Sequence, residues 1–177
     1  MPTLFRRLGT TSHVSPLRRR LQAAGLEDMT SLMRLAVRRG CRYYEDTVSG
    51  DVTDPGKHRV SNEELAIGLL HGSLEWSPAA IRMGAALLGA RGNDPKKLAR
   101  LARMERAEPV VRSLAEVGRS VEPTNRFWSC LLEELPDRSR IPSGVLPHST
   151  RFVAMTGITR EGRGIRSQWI RPQEVHG

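Results

Sequence analysis

The strongest constraint on this chain is the run 78–90, in which Arg82 is the only charge and Ile81, Met83, Leu87 and Leu88 supply most of the bulk. A helix over such a run has almost no polar face, so neighbouring elements must cover it from several sides. Its start is written in Ser77, whose hydroxyl can accept from a free N–H of the first turn, and in Pro78, placed where a missing N–H costs nothing. Gly92 is the expected stop. The run falls well short of the roughly 20 apolar residues that cross a bilayer, so it predicts a core helix and no membrane span.

Other helices must do the covering. Ser15 and Pro16 open one that Gly25 ends, and a second is expected over 27–39, with Met29, Leu32, Met33 and Ala36 on one face and Gly40 as its stop. Arg38 and Arg39 fall in its last turn, where they complement the negative end of the helix dipole. Ser61, Asn62, Glu63 and Glu64 have the form of a capping box ahead of Leu65, Ala66, Ile67, Leu69 and Leu70, with Gly72 closing that helix. Asp94 and Pro95 start another, which Pro109 is expected to break before Val110, Val111, Leu114, Val117 and Val121 resume the helical period. Thr124 is the expected cap of a helix carrying Phe127, Trp128, Leu131, Leu132 and Leu135, stopped by Pro136. Trp128 sits within that apolar stripe and so belongs to the core.

After Asp137 the character changes. Pro142, Ser143, Gly144 and Pro147 mark a linker, 151–159 fits a strand, 160–164 a turn, and 165–170 a return strand with Ile165, Ser167 and Trp169 on one side. A two-stranded hairpin is marginal alone and must lean on the helices or on a partner. The expected fold is therefore mainly α: a compact bundle of about six to seven short helices, a small C-terminal β-hairpin and a basic N-terminal arm. The expected organisation is an arm over 1–14, a helical domain over 15–136, and a linker with hairpin and tail over 137–177. A length of 177 residues suits one such domain.

The net charge of +9 is unevenly spread. Residues 1–25 hold Arg6, Arg7, Arg18, Arg19 and Arg20 with no acid, and the excess returns over 93–121 and 142–177. On the helix after Asp94, Lys96, Arg100 and Arg103 fall within an arc of about 60°, opposite Leu98, Leu101 and Ala102. Such a row, roughly 10 Å long, can follow a phosphate backbone. Arg18, Arg19 and Arg20 fan around their helix, which suits phosphate contact and not base reading. Arg160, Arg163 and Arg166 add charge to the hairpin. These eleven residues form the expected interface for nucleic acid or a nucleoprotein, bound through phosphate without sequence preference. The basic residues are almost all arginine, which a GC-rich coding bias also produces. The alternative is a protein-interaction or adaptor subunit whose apolar hairpin docks on another chain. A DNA-reading helix-turn-helix is disfavoured, because the helix that would enter the groove offers Arg82 alone.

Enzyme classes find little support. No Gly-rich phosphate loop follows an expected strand, and no Cys or His pair has zinc spacing. Glu133 and Glu134 are adjacent on a helix and point about 100° apart. Among His13, His58, His71, His148 and His176, His71 reads as a helix-end residue. Glu45, Asp46, Asp51 and Asp54 lie in a loop without the alternation of a calcium site. The expectation is thus no catalytic residues, no metal and no cofactor. Cys41 and Cys130 stand far apart, a pattern of reducing compartments that predicts a cytoplasmic protein. Arg6, Arg7, Thr10, Thr11 and Ser12 have a transit-peptide composition, but no amphipathic repeat accompanies it.

Overall fold

The computed structural model describes residues 14–43, 48, 50–71, 77–135, 141, 144–156 and 164–173. The basic arm, Pro136, Arg160 and Arg163 lie outside them. Among the described residues, the chain forms α1 (Pro16–Ala23), α2 (Met29–Arg38), α3 (Asn62–Leu70), α4 (Pro78–Leu88), α5 (Pro95–Met104), α6 (Glu108–Val121) and α7 (Arg126–Glu134). A 3-10 turn (Ser149–Phe152) leads into β1 (Val153–Thr156), which pairs antiparallel with β2 (Arg166–Trp169), Val153 opposite Trp169. The protein is mainly helical with a small C-terminal hairpin, as the pattern predicts.

The helix starts follow local side-chain chemistry. Ser15, Ser61, Ser77 and Asp94 each accept a bond from a first-turn backbone N–H, and Ser61 with Glu64 closes a full capping box. Three helix starts differ from expectation. Asp28 and Ser31 form a second capping box, so α2 begins at Met29 and not at residue 27. Asn125, not Thr124, caps α7. Pro109 breaks nothing, because α5 has already ended at Met104, and the chain turns through Arg106 at φ 56° before Pro109 enters the first turn of α6.

The apolar run 78–90 is covered as its composition requires, with Ile81, Met83, Leu87 and Leu88 all buried. Its principal cover is α3, which is itself buried from Glu63 to Leu70 and also packs on α1, α2 and α5. The two helices approach closely at Gly84, where an added Cβ would lie 2.8 Å from Leu70 Cγ. On the far flank of this pair, α7 packs on α5 and α6. Arg103 and Arg112 close the end of α7 by donating to the carbonyls of Glu134 and Leu135 at 3.0 and 2.8 Å.

The hairpin does lean on the helices. Trp169, 2% exposed, stacks at 5.5 Å on Phe152 and meets Trp128 edge-on at 4.9 Å. Its Nε1 donates to Ala85 O at 2.8 Å. The same ring also requires glycine at the end of α4. The helix ends at Leu88 with Gly89 as its cap, earlier than Gly92, and a Cβ on Gly89 would come 2.5 Å from the Trp169 ring. Ile165 does not share the buried side with Trp169, being 66% exposed just ahead of β2.

Arg38 and Arg39 do more than complement a dipole. Arg38 donates to Asp51 and to Val52 O, while buried Arg39 holds Asp54 through two nitrogens at 3.0 and 2.7 Å and reaches Val60 O at 2.7 Å. Asp51 and Asp54 are thus anchors of the 50–60 loop, while Glu45 and Asp46 lie outside the described residues. The Arg39 guanidinium and the Gly56 amide hold the Asp54 carboxyl below its usual range despite partial burial. No group of three His, Cys, Asp or Glu among the described residues is placed to hold a metal, and no helix there is long and apolar enough to cross a membrane.

Candidate nucleic-acid interface

The described cations of the expected interface separate by what their side chains do. Arg20 pairs with Glu64 at 3.2 Å and donates to Arg59 O. Arg19 donates through Nε to Val14 O at 3.2 Å. Arg103 is engaged with Glu108 at 3.5 Å and with the end of α7. Arg18 is partly buried and lines a small recess with His71 and Glu105. In contrast, Lys96, Arg100 and Arg166 are exposed and make no side-chain hydrogen bond or ion pair among the described residues. α1 and α5 both rest on α3, whereas β2 rests against α6.

The acids are largely consumed inside the fold. Asp51, Asp54, Glu63, Glu64, Glu108, Glu116 and Glu122 each pair with an arginine or lysine at 2.6 to 3.5 Å. Asp28 and Asp94 cap helices. Because the chain holds 28 basic and 19 acidic residues, pairing leaves cations over. Lys57 and Arg126 join Lys96, Arg100 and Arg166 as exposed cations with no side-chain partner among the described residues.

Two open clefts lie along the C-terminal segment. One, of about 830 Å³, is walled by the loops entering α5 and α7 and by the start of β2, and includes Arg91, Phe127 and Arg166. The other, of about 790 Å³, lies between the 50–60 loop and residues 168–173 and includes Tyr43, Lys57 and Arg91. Ala90, Arg91, Gln168 and Arg171 line both.

The first cleft includes Glu122, whose carboxylate accepts from Arg171, Asn125, Trp128 Nε1 and the Trp169 amide. Burial opposes its charge, yet these donors outweigh burial and hold its carboxyl far below the usual range. Arg171 also donates to Gly89 O at 2.7 Å, and the Gln173 amide donates to Gly40 O at 2.9 Å. The C-terminal segment is therefore fastened at three points.

Sequence reasoning found Arg166 but not Tyr43, Lys57 or Arg91 as its neighbours along the clefts. Each is an isolated residue in a different loop, with no periodicity to single it out. The one signal available was compositional, a cation beside a turn glycine, at Lys57 after Gly56 and at Arg91 before Gly92; Tyr43 had none. The chain matches no known family model, no curated protein and no solved structure, so the chemistry of this surface rests on its own residues.

Proposed function

We propose that this protein is a non-enzymatic accessory factor of the cytoplasm that binds nucleic acid, free or within a nucleoprotein, through phosphate contacts without sequence preference. The observation that carries the reading is the cation surplus left by internal pairing: exposed Lys96, Arg100 and Arg166 have no partner among the described residues. Lysine and arginine held this way release counterions on meeting phosphate, so affinity falls steeply with salt. The unpaired thiols of Cys41 and Cys130 support a reducing compartment. A filter-binding titration of DNA and RNA at two salt concentrations tests the reading, and no retention at low salt ends it.

A second reading, an adaptor for another protein, is favoured by Met155 and Ile165, which are 72% and 66% exposed on the hairpin. A pull-down with and without nuclease separates the two, since an adaptor keeps its partner after nuclease treatment.

A further inference from the structure

Helices α1, α2 and α5 end in the same backbone motif, in which two successive amides beyond the cap donate back into the last turn. In α1 these are Gly25 N to Gln22 O and Leu26 N to Leu21 O, both at 2.9 Å. In α2 they are Gly40 N to Val37 O and Cys41 N to Ala36 O, both at 3.0 Å. In α5 they are Arg106 N to Arg103 O at 3.3 Å and Ala107 N to Ala102 O at 2.8 Å.

The motif requires a residue at positive φ, where any Cβ crowds the following carbonyl. α1 and α2 meet that demand with Gly25 at φ 80° and Gly40 at φ 108°, and α5 meets it with Arg106 at φ 56°. A side chain at position 40 would strike the backbone of Gln173, so packing alone dictates that glycine. Gly25 is the cleaner comparison: nothing lies within 4 Å of where its Cβ would stand, and it serves only the backbone. Among the described residues, Arg106 is the one non-glycine at positive φ.

Nothing inside the fold offsets the strain at Arg106. Its side chain is exposed and makes no hydrogen bond or ion pair among the described residues. The helix dipoles give no clear gain either. The C-terminal end of α5 attracts a cation, but Arg106 also stands two residues before α6 begins at Glu108, and the positive end of that helix repels it.

We propose that arginine is kept in this turn for an external phosphate, as a further contact to nucleic-acid backbone beyond the exposed Lys96 and Arg100 of α5. The turn suits that task. Its flanking residues Glu105 and Ala107 are buried, at 3% and 2% exposed, so the base of the side chain is fixed while the guanidinium remains open to two oxygens of one phosphate. The proposal rests on the phosphate-binding reading and adds a residue at which binding and stability are opposed.

Fluorescence anisotropy with labelled mixed-sequence DNA and RNA oligonucleotides, run over a salt series beside thermal melts of the full chain, tests this. Arg106→Gly relieves the backbone and removes the charge, so it should raise the melting temperature by about 2–4 °C and lower the salt slope of binding by about one. Arg106→Gln removes the charge alone, and should lower the slope equally at an unchanged melting temperature. Arg106→Lys should keep the native slope. An Arg106→Gly protein that melts below the native one would show that the arginine serves the fold, and the proposal would go. Native affinity and slope in both the Gly and Gln variants would also overturn it while leaving phosphate binding intact. Failure of the native protein to bind either oligonucleotide at low salt removes both readings.

Discussion

Glu122 receives both terminal nitrogens of Arg171, at 2.7 Å on Oε1 and 2.6 Å on Oε2, across a sequence separation of 49 residues. The pair joins the end of α6 to the C-terminal segment, and both side chains are mostly buried, at 14% and 23% exposed. Glu122→Gln keeps the shape and removes the charge, and is expected to cost about 2–3 kcal/mol. The pH dependence has a definite sign. The folded carboxyl lies well below its ordinary value of 4.5, so the stabilisation is fully present above that pH and fades as pH falls below it. Urea melts between pH 3 and 7 should show this acid limb in the native protein and a flatter one in the variant.

Gly118 inverts the usual rule for glycine in a helix. An alanine there should favour α6 by about 1 kcal/mol on intrinsic propensity. Its Cβ, however, would stand 2.5 Å from the buried ring of Trp128, and Trp128 is locked to Glu122 by its Nε1. Gly118→Ala is therefore expected to destabilise by roughly 1–3 kcal/mol. An increase in melting temperature would show that the ring can yield.

Lys96 and Arg100 should separate binding from folding. The Lys96→Ala, Arg100→Ala pair is expected to lower the salt slope of nucleic-acid binding by about two and leave the urea midpoint unchanged. Arg103→Ala should instead lower the midpoint, because its guanidinium reaches both Glu108 and Glu134 O. A shifted midpoint in the double variant would place those two cations in the structural class.

His71 caps α3 and faces Glu105 at 3.4 Å. Burial lowers its pKa from the ordinary 6.5; the Glu105 carboxylate pulls upward and Arg18 pushes downward. With the folded value depressed, the unfolded chain takes up the proton first, so stability falls as pH drops through about 6.5. His71→Asn should flatten that part of the stability profile, as followed by thermal melts in steps of pH.

The two thiols should react very differently. Burial pushes the Cys41 thiol up to about 12, whereas Cys130 is exposed on α7. A maleimide at pH 7 is expected to label Cys130 alone in the folded protein and both residues in urea. Rapid labelling of Cys41 under native conditions would show that its surroundings open.

Much of the helical layout was legible because capping and periodicity are local. Ser15, Ser61, Ser77 and Asp94 act on N–H groups two or three residues away, so neither their helices nor the apolar stripes behind them need a tertiary partner to be recognised. Pro109 misled because the same residue breaks a helix from inside and opens one from its first turn; Arg106, turning at φ 56°, decided between them. Gly89 and Gly118 carried no local sign of their roles, since each is small to admit a tryptophan from another element.

The site was legible only in part for the same reason. A stripe such as Lys96 and Arg100 shows in the letters, since spacing places both on one face of α5. Whether a cation is spare or spent does not show, because its partner lies on another part of the chain: Arg20 with Glu64, Arg39 with Asp54, Arg171 with Glu122. Sequence by itself determined a basic chain of short, well-capped helices around an apolar pair, since those properties follow from neighbours along the backbone. Tertiary structure alone decided which charges cancel and which loops share a cleft, because Coulomb attraction and steric fit act through space, across chain separations that spacing does not encode.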